Sequence, residues 1–306
     1  MKAVLYTEYG SPNVLKFREI EKPVPKYNEV LIRVYASTVS AGVVWMRKGE
    51  FPGSKFFTVF LRLQFGITKP RRSILGFEFS GVVEGVGEDV RLFKKGDTVF
   101  GTTTGLNNGS YADFVCVPEE SKHCVLALIP PDISFEEAAG LLIGGMTALQ
   151  ILIRASIKVG DRVLIYGASG SVGTYAVQIA KYLGTHVTAV CSIGNIELVR
   201  SIGADEVIDY TKEPITECKE KFDVIFDAVG KIKRSALRPL LKVSGKRLSI
   251  YTLTDEKVAY LDLLCTMLSE GKLKIIIDRI YPLEQIVAAH NYVDLGHKKG
   301  NVILRH

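Results

Sequence analysis

Cysteine is scarce in this 306-residue chain: there are five, at positions 116, 124, 191, 218 and 265. The number is odd and no two stand in a C-x2-C spacing, so neither a disulfide framework nor a cysteine-rich zinc cage is supported. Free thiols fit a reducing compartment, and a cytoplasmic location is the expectation. The five histidines make no H-x-x-x-H pair. No apolar run reaches the roughly 20 residues of a membrane span. The longest, Ala138 to Ile153, contains Gln150 and three glycines and reads as a buried helix. The amino terminus, MKAVLYTEYG, lacks the apolar core of a secretory signal.

A basic stripe of the kind that reads nucleic acid is also missing. The 39 Lys and Arg are scattered among 33 acids, for a net charge of +6. The densest basic spots, Lys69 to Arg72 and His297 to Lys299, are short. No nucleic-acid partner is expected, although a mild positive field suits a polyphosphate ligand. With 47% hydrophobic and 24% charged residues, the composition excludes disordered and collagen-like classes. The length suggests two domains, or one large one, and suffices to bury a core without staples.

What is present changes character along the chain. Up to residue 127 the sequence is β-rich. Short β-branched or aromatic runs, Val30–Val34, Gly81–Val86, Asp97–Phe100 and Ala112–Val117, are punctuated by Gly and Pro as in a small barrel. Pro130-Pro131-Asp132 breaks the pattern, and Ser134-x-x-Glu137 is a capping box that starts a helix. From Arg162 strands alternate with helices. Strands are expected at 162–167, 186–190, 206–210 and 246–251, with 222–230 a strand and its loop, and helices at 172–183, 196–202 and 235–241. Continuous apolar strands alternating with helices indicate a parallel sheet covered on both faces. A helix at 261–268, the segment 275–280, a helix at 283–294 and a strand at 301–304 follow.

The sharpest motif is Gly167-Ala168-Ser169-Gly170-Ser171-Val172-Gly173, between a strand and a helix. A pyrophosphate needs close backbone approach and amides aimed at it from a helix amino terminus, and glycine permits both. The strand–turn–helix context points to dinucleotide binding. A second strand that serves NAD ends in an acid for the ribose hydroxyls. Here it runs into Cys191-Ser192-Ile193-Gly194-Asn195, with no acid to repel a 2′-phosphate. Ser192 and Asn195 can donate hydrogen bonds to one, so NADP(H) is favoured. No Arg or Lys supplies charge in this loop, and both side chains could instead cap a helix.

The chain resembles the medium-chain dehydrogenase/reductase superfamily, in its zinc-free quinone oxidoreductase (zeta-crystallin-like) branch. The matching words run in family order from MKAVLYTEYGSPNVL (1–15) and GFEFSGVVEGVGEDVRLFKKGDTVFG (76–101) through GSYADFV (109–115), GGMTALQ (144–150) and VLIYGASGSVGTYAVQIAK (163–181) to GADEVIDY (203–210), FDVIFDAVG (222–230) and YPLEQIVAAH (281–290). The resemblance implies an α/β protein: a GroES-like β-rich catalytic domain (1–127), a Rossmann doubly wound parallel sheet (128–269) and a carboxy-terminal segment (270–306) that returns to the first domain. Zinc ligands of alcohol dehydrogenase relatives match Ser40, Phe77 and Gly144, none of which suits zinc, so no metal is expected. Without a Lewis acid, an enone or quinone is the better acceptor, because hydrogen-bond donors can stabilise the enolate that hydride addition creates. The protein's task is then to place the nicotinamide over the substrate.

The resemblance also assigns residues. Thr147 matches a threonine beside the nicotinamide, and Ser40 a polar position near the substrate, although either could simply pack a helix or turn. Where relatives carry Asp and Tyr near that position, Val43, Trp45 and Phe51 stand here, so a tyrosine proton donor is lacking. Seven of the 14 phenylalanines fall between Phe51 and Phe79. Trp45, Phe51 and Phe77 are the pocket candidates, with core packing as the plainer alternative. Ser169, Gly170, Ser171, Val172 and Gly173 would hold the pyrophosphate and Ser192, Asn195 and Tyr210 the adenosine phosphate. Val229, Gly230, Ser249 and Tyr251 would lie along the nicotinamide half. Asp227 could be a strand-end cap.

The expected activity is reduction of quinones or α,β-unsaturated carbonyls with NADPH. An NAD(H)-dependent reductase of another carbonyl, or a low-turnover NADPH-binding redox sensor or moonlighting protein, are the alternatives. The family implies a homodimer, commonly built on a sixth Rossmann strand. After KRLSIYT (246–252), only the short stretch Thr254 to Ser269 occupies the place of that strand.

Overall fold

The computed structural model describes residues 1–51, 55–106 and 109–306. The chain begins with β1 (Lys2–Leu5), β2 (Lys16–Glu19) and β3 (Glu29–Thr38). Helices α1 (Ala41–Lys48) and α2 (Lys55–Phe65) precede β4 (Glu78–Val86), β5 (Thr98–Thr102), β6 (Phe114–Pro118) and β7 (Leu126–Leu128). The long α3 (Phe135–Ala155) leads into β8 (Arg162–Tyr166), α4 (Ser171–Tyr182), β9 (His186–Cys191), α5 (Ile196–Ser201) and β10 (Glu206–Asp209). Then come β11 (Phe222–Asp227), α6 (Arg234–Leu237), β12 (Leu241–Ser249), α7 (Val258–Ser269), β13 (Ile277–Pro282), α8 (Ile286–Asp294) and β14 (Asn301–Arg305). Two compact units result: residues 1–142 with 256–258 and 277–306, and residues 143–255 with 259–276.

The first unit is built on a seven-stranded sheet in the order β13-β14-β3-β4-β5-β7, with β6 also on β3. Ten-residue β3 is shared: Glu29–Arg33 pair with β6, and Ala36–Thr38 pair with β14 from the end of the chain. Its inward residues Val30, Ile32 and Val34 meet Phe79, Val83, Val99, Val115 and Val117 in one apolar cluster. A second cluster joins Ala3, Val4, Tyr6, Val43, Leu75 and Tyr111 to Ile286, Ala289 and Val293 of α8. The carboxy-terminal segment is therefore part of this unit's core.

The second unit carries a five-stranded parallel sheet in the order β10-β9-β8-β11-β12. That order places β8 at the centre, and it reverses beside β11. Residues 173–180 of α4 are all buried, which explains its apolarity on every side. Among the described residues no strand lies between β12 and β13, so β12 is an edge.

Capping residues act largely as their types dictate. The Glu137 amide donates to Ser134 Oγ (3.2 Å), and the Ser134 amide donates back to Glu137 Oε2 (3.0 Å), completing the capping box. That helix, α3, is long and apolar enough to cross a membrane, but 83% of its most apolar window is buried inside the molecule. The expected helix at 235–241 is instead the single turn α6 followed by a 3-10 turn, Arg238–Leu240. Pro239 lacks an amide and crowds the carbonyl four residues back, so the α-helix cannot continue. Strand β12 starts at Leu241, but its regular pairing with β11 begins at Lys246, after a register shift.

Candidate functional site: a dinucleotide cradle

The glycine motif turns the chain from β8 into α4. Gly167 has φ +78°, a left-handed conformation, and a Cβ there would sit 2.2 Å from Val229 Cγ2. A Cβ on Gly173 would sit 2.1 Å from the Gly167 carbonyl oxygen, so this glycine lets the helix press against the strand. Gly170 is different: its nearest neighbour would be the Gly167 oxygen at 3.6 Å. That side of the turn is open. Gly170 is also the N-cap of α4 and offers no side-chain acceptor to the first turn. An open-sided turn at an uncapped, twelve-residue helix start suits an anion. Ser171 and Val172 occupy the first two helical positions, where their amides point towards that end.

Ser169, Ser192 and Asn195 come together. Asn195 Nδ2 donates to Ser169 Oγ (3.0 Å) and to Ser192 Oγ (3.1 Å). Neither Ser192 nor Asn195 caps the turn it begins. Asn195 Oδ1 is buried without a partner, an unmet acceptor of the kind a ribose hydroxyl would satisfy. Tyr210 follows β10, exposed, with its ring 6.2 Å from that of Tyr166. One acid does reach this corner. Asp209, at the end of β10, lies beside the Ile193 amide, and hydrogen bonds from Thr211 hold its carboxyl below the usual carboxylate range. The sequence order hides this contact, because the acid arrives from the third strand.

At the end of β11 the buried Asp227 is a turn cap. Its Oδ1 accepts from the amides of Val229 (3.1 Å) and Gly230 (2.8 Å), and Arg247 lies 3.7 Å from Oδ2. Those two amides are thus turned inward onto the Asp227 carboxylate. Gly230 has φ +74°, and a Cβ there would strike the Tyr251 ring at 2.4 Å. Ser249 Oγ accepts from the Tyr251 amide (3.3 Å). Val229, Gly230, Ser249, Tyr251 and Gly167 therefore share the carboxyl edge of the sheet. Thr147 belongs to the same unit. Gly144, one turn earlier on α3, packs so closely on Ser171 that a Cβ would lie 2.5 Å from its Oγ. Residues three apart share a helix face, which directs half-buried Thr147 towards the start of α4.

The remaining candidates lie in the first unit. Ser40 N-caps α1, with Oγ accepting from the Val43 amide at 3.4 Å. Phe77 packs beside it: a Cβ on Gly42 would lie 3.4 Å from the Phe77 ring. Trp45 and Phe51 rings are 5.3 Å apart, and Phe51 and Phe57 rings 5.2 Å. Phe77 is held by its backbone, since its carbonyl accepts from the Thr103 amide (2.8 Å). The phenylalanine-rich run serves no single purpose. Phe79 is fully buried, Phe51, Phe65 and Phe77 are half-buried, and Phe56, Phe57 and Phe60 are exposed.

Comparison with known proteins places this architecture. The alcohol dehydrogenase GroES-like domain matches residues 26–131, and two zinc-binding dehydrogenase segments match 171–258 and 246–304. The chain is 31% identical to the chloroplastic NADPH-dependent alkenal/one oxidoreductase of Arabidopsis thaliana, covering 99% of this chain and 79% of that protein. It is also 31% identical to the chloroplast envelope quinone oxidoreductase homolog of the same plant, with 99% and 98% covered. The quinone oxidoreductase of Coxiella burnetii superposes with a TM-score of 0.88 at 29% identity, covering 100% and 99% of the two chains. The chain belongs to the medium-chain dehydrogenase/reductase superfamily, in its quinone oxidoreductase branch. It is an oxidoreductase of the NAD(P)-dependent kind, with a GroES-like unit and a Rossmann unit.

Two features of this branch member depart from the zinc-binding names. The three positions that hold catalytic zinc in alcohol dehydrogenase relatives are a helix cap (Ser40), a phenyl ring (Phe77) and a glycine whose Cβ space Ser171 takes (Gly144). That donor set does not fit the metal. Among the described residues no group of three His, Cys, Asp or Glu side chains converges. The chain is also short. Its match to the envelope relative extends over 339 aligned positions, more than the 306 residues present, so that relative has segments with no counterpart here.

Two charged features escaped the sequence reading. Residues 231–247 hold Lys231, Lys233, Arg234, Arg238, Lys242, Lys246 and Arg247 with no acid, a longer basic segment than either spot noted above. Its spacing hides it, because the cations are spread singly and in pairs along 17 residues. Lys221, Arg234, Arg238, Lys242 and Arg247 line a groove of about 1110 Å³, reaching the amino ends of β11 and β12. Lys298, in a stretch that reads as solvated surface, is half-buried with Nζ on the Gly300 carbonyl (2.6 Å), and burial pulls it down to about 8.

Proposed function

We propose that this protein is a zinc-independent, NADPH-dependent oxidoreductase of quinones or α,β-unsaturated carbonyls. The observation that carries the reading is the open side of Gly170 at the uncapped start of α4, joined by the Ser169–Ser192–Asn195 cluster. The names of the relatives support the acceptor class, and one of them names NADPH. When bound, the reduced nicotinamide supplies the hydride. The protein's own part is to seat the pyrophosphate at the Gly170–Gly173 turn and to hold the adenosine phosphate against Ser192, Asn195 and Tyr210. The rigid Asp227-capped turn would position the nicotinamide half, with Thr147 beside it. Ser40, Trp45, Phe51 and Phe77 are the residues proposed to meet the substrate. Cytoplasmic placement, supported by five free thiols, and a homodimer are parts of the same proposal.

Asp209 supports a second reading, NAD(H) as the cofactor, because a carboxylate near the Ser192 loop disfavours a 2′-phosphate. Fluorescence titration with NADPH and NADH side by side separates the two. The expected result is tighter binding of NADPH, followed by its oxidation in the presence of a panel of quinones and enones. Tighter NADH binding overturns the cofactor assignment. Tight NADPH binding without oxidation above background overturns the enzymatic one and leaves a redox-sensing role.

A further inference from the structure

Helix α2 is built inside out for a water-facing helix. Its sequence is KFFTVFLRLQF, and none of its residues is buried. Thr58, Leu61, Arg62 and Phe65, spaced i, i+3, i+4 and i+7, form the covered side. Arg62 lies over the Tyr9 ring at 4.7 Å and donates from Nε to the Gly49 carbonyl (2.9 Å), and Phe65 joins the unit's core. Of the helix's two charged residues, Arg62 is thus turned to the protein and Lys55 is exposed. Phe56, Val59, Phe60 and Leu63, again i, i+3, i+4 and i+7, make a continuous apolar stripe on the other side, with exposures of 76%, 58%, 58% and 56%. Phe57 and Ile67 extend it. The stripe is about 10 Å long, and apolar patches of this kind on a soluble protein mark a partner surface.

The charge around the stripe selects the partner. From Phe51 to Phe77 there is no Asp or Glu, while Lys55, Arg62, Lys69, Arg71 and Arg72 supply five positive charges. Lys55, Lys69 and Arg71 are exposed. A second copy docking by the same face would set these cations against their own kind, which a two-fold contact cannot avoid. An anionic bilayer offers the complement of both features: hydrocarbon for the phenylalanines and phosphates for the cations. We propose that α2 docks the protein on an anionic lipid surface, lying in the interface with the Phe56–Leu63 stripe inserted and Lys55, Lys69 and Arg71 at the headgroups.

Flotation of the full-length protein with vesicles tests this. Wild type is expected to float with phosphatidylcholine–phosphatidylglycerol vesicles at low salt, and much less with phosphatidylcholine alone or at high salt. Phe56→Ser with Phe60→Ser should cut the bound fraction about tenfold, and Lys69→Glu with Arg71→Glu similarly. These positions are exposed, so unchanged thermal melting is expected of both variants. Failure of wild type to float with anionic vesicles overturns the proposal. So does flotation that the phenylalanine variant leaves unchanged. Light scattering supplies the rival outcome: a wild-type dimer that the phenylalanine variant converts to monomer would assign the stripe to a second copy.

Discussion

Gly170 and Gly173 stand one turn apart in the same motif and have opposite duties. At Gly173 the structure has no room, since a Cβ would meet backbone at 2.1 Å. At Gly170 it has room, and φ −78° suits any residue. Gly173→Ala should therefore lower stability by about 1–3 kcal/mol through overpacking. Gly170→Ala should cost about 1 kcal/mol or less as a poorer cap while weakening NADPH binding about tenfold or more, since its methyl would occupy the pyrophosphate's approach. Thermal melting and cofactor fluorescence read the two effects separately. Undiminished NADPH binding by Gly170→Ala would move the pyrophosphate away from this turn. The adenosine end gives a second test. Ser192→Asp adds a carboxylate to a cluster that already has Asp209 nearby, and should weaken NADPH about tenfold more than NADH. Equal loss for both cofactors would put the 2′-phosphate elsewhere. The glycines and Ser192 were legible because spacing and strand–helix context define them. Asp209 was not, because only the register of β10 on β9, which sets Asp209 opposite Cys191, brings it to the loop.

Among the elements, α1 shows how one residue can carry two readings. Ser40 matches a substrate-site position in the family, yet its hydroxyl is engaged at the helix start. Ser40→Ala should cost about 0.5–1 kcal/mol of stability from the lost cap. Ser40→Asp keeps a capping acceptor and should retain stability. If the hydroxyl also serves turnover, Ser40→Asp will melt like wild type and still lose kcat. If capping is its whole role, activity will follow stability in both variants, and the pair decides between them. Element types were readable wherever period and caps agreed, as in the Ser134–Glu137 box and the alternation from β8 to β11. They failed at α6, where one proline outweighed the helical pattern of its neighbours. They failed also for α2. Its phenylalanines suggest core or pocket, and only the fold shows that the stripe faces outward while Arg62 faces in.

On the scale of the molecule, the order of domains was legible because matching words run from end to end, and the short stretch after KRLSIYT already pointed to a sheet that stops at what is now the β12 edge. Whole-molecule stability carries a pH signature that composition does not reveal. His290 of α8 is fully buried, edge-on to Tyr111, with Nδ1 3.4 Å from an Arg47 guanidinium that is ion-paired to Asp294 (2.7 Å). Burial, and then the Arg47 charge, push it down to about 3 against the pull of Asp294. His306, at 2.7 Å from Ser37 Oγ, is pushed down by burial to about 4, with Asp113 acting weakly the other way. Both imidazoles are neutral in the folded protein at pH values where the unfolded chain, with histidines near 6.5, is protonated. Between about 6.5 and 4 the unfolded state binds more protons, so stability rises with pH and drains away on acidification. Each histidine contributes a slope of up to about 1.4 kcal/mol per pH unit. Urea midpoints measured from pH 7 to pH 5 should fall accordingly, and His290→Gln should remove about half the slope. A flat profile, or an unchanged slope in that variant, would mean that the imidazole is solvated and that the Arg47–Asp294 pair opens readily in the native state.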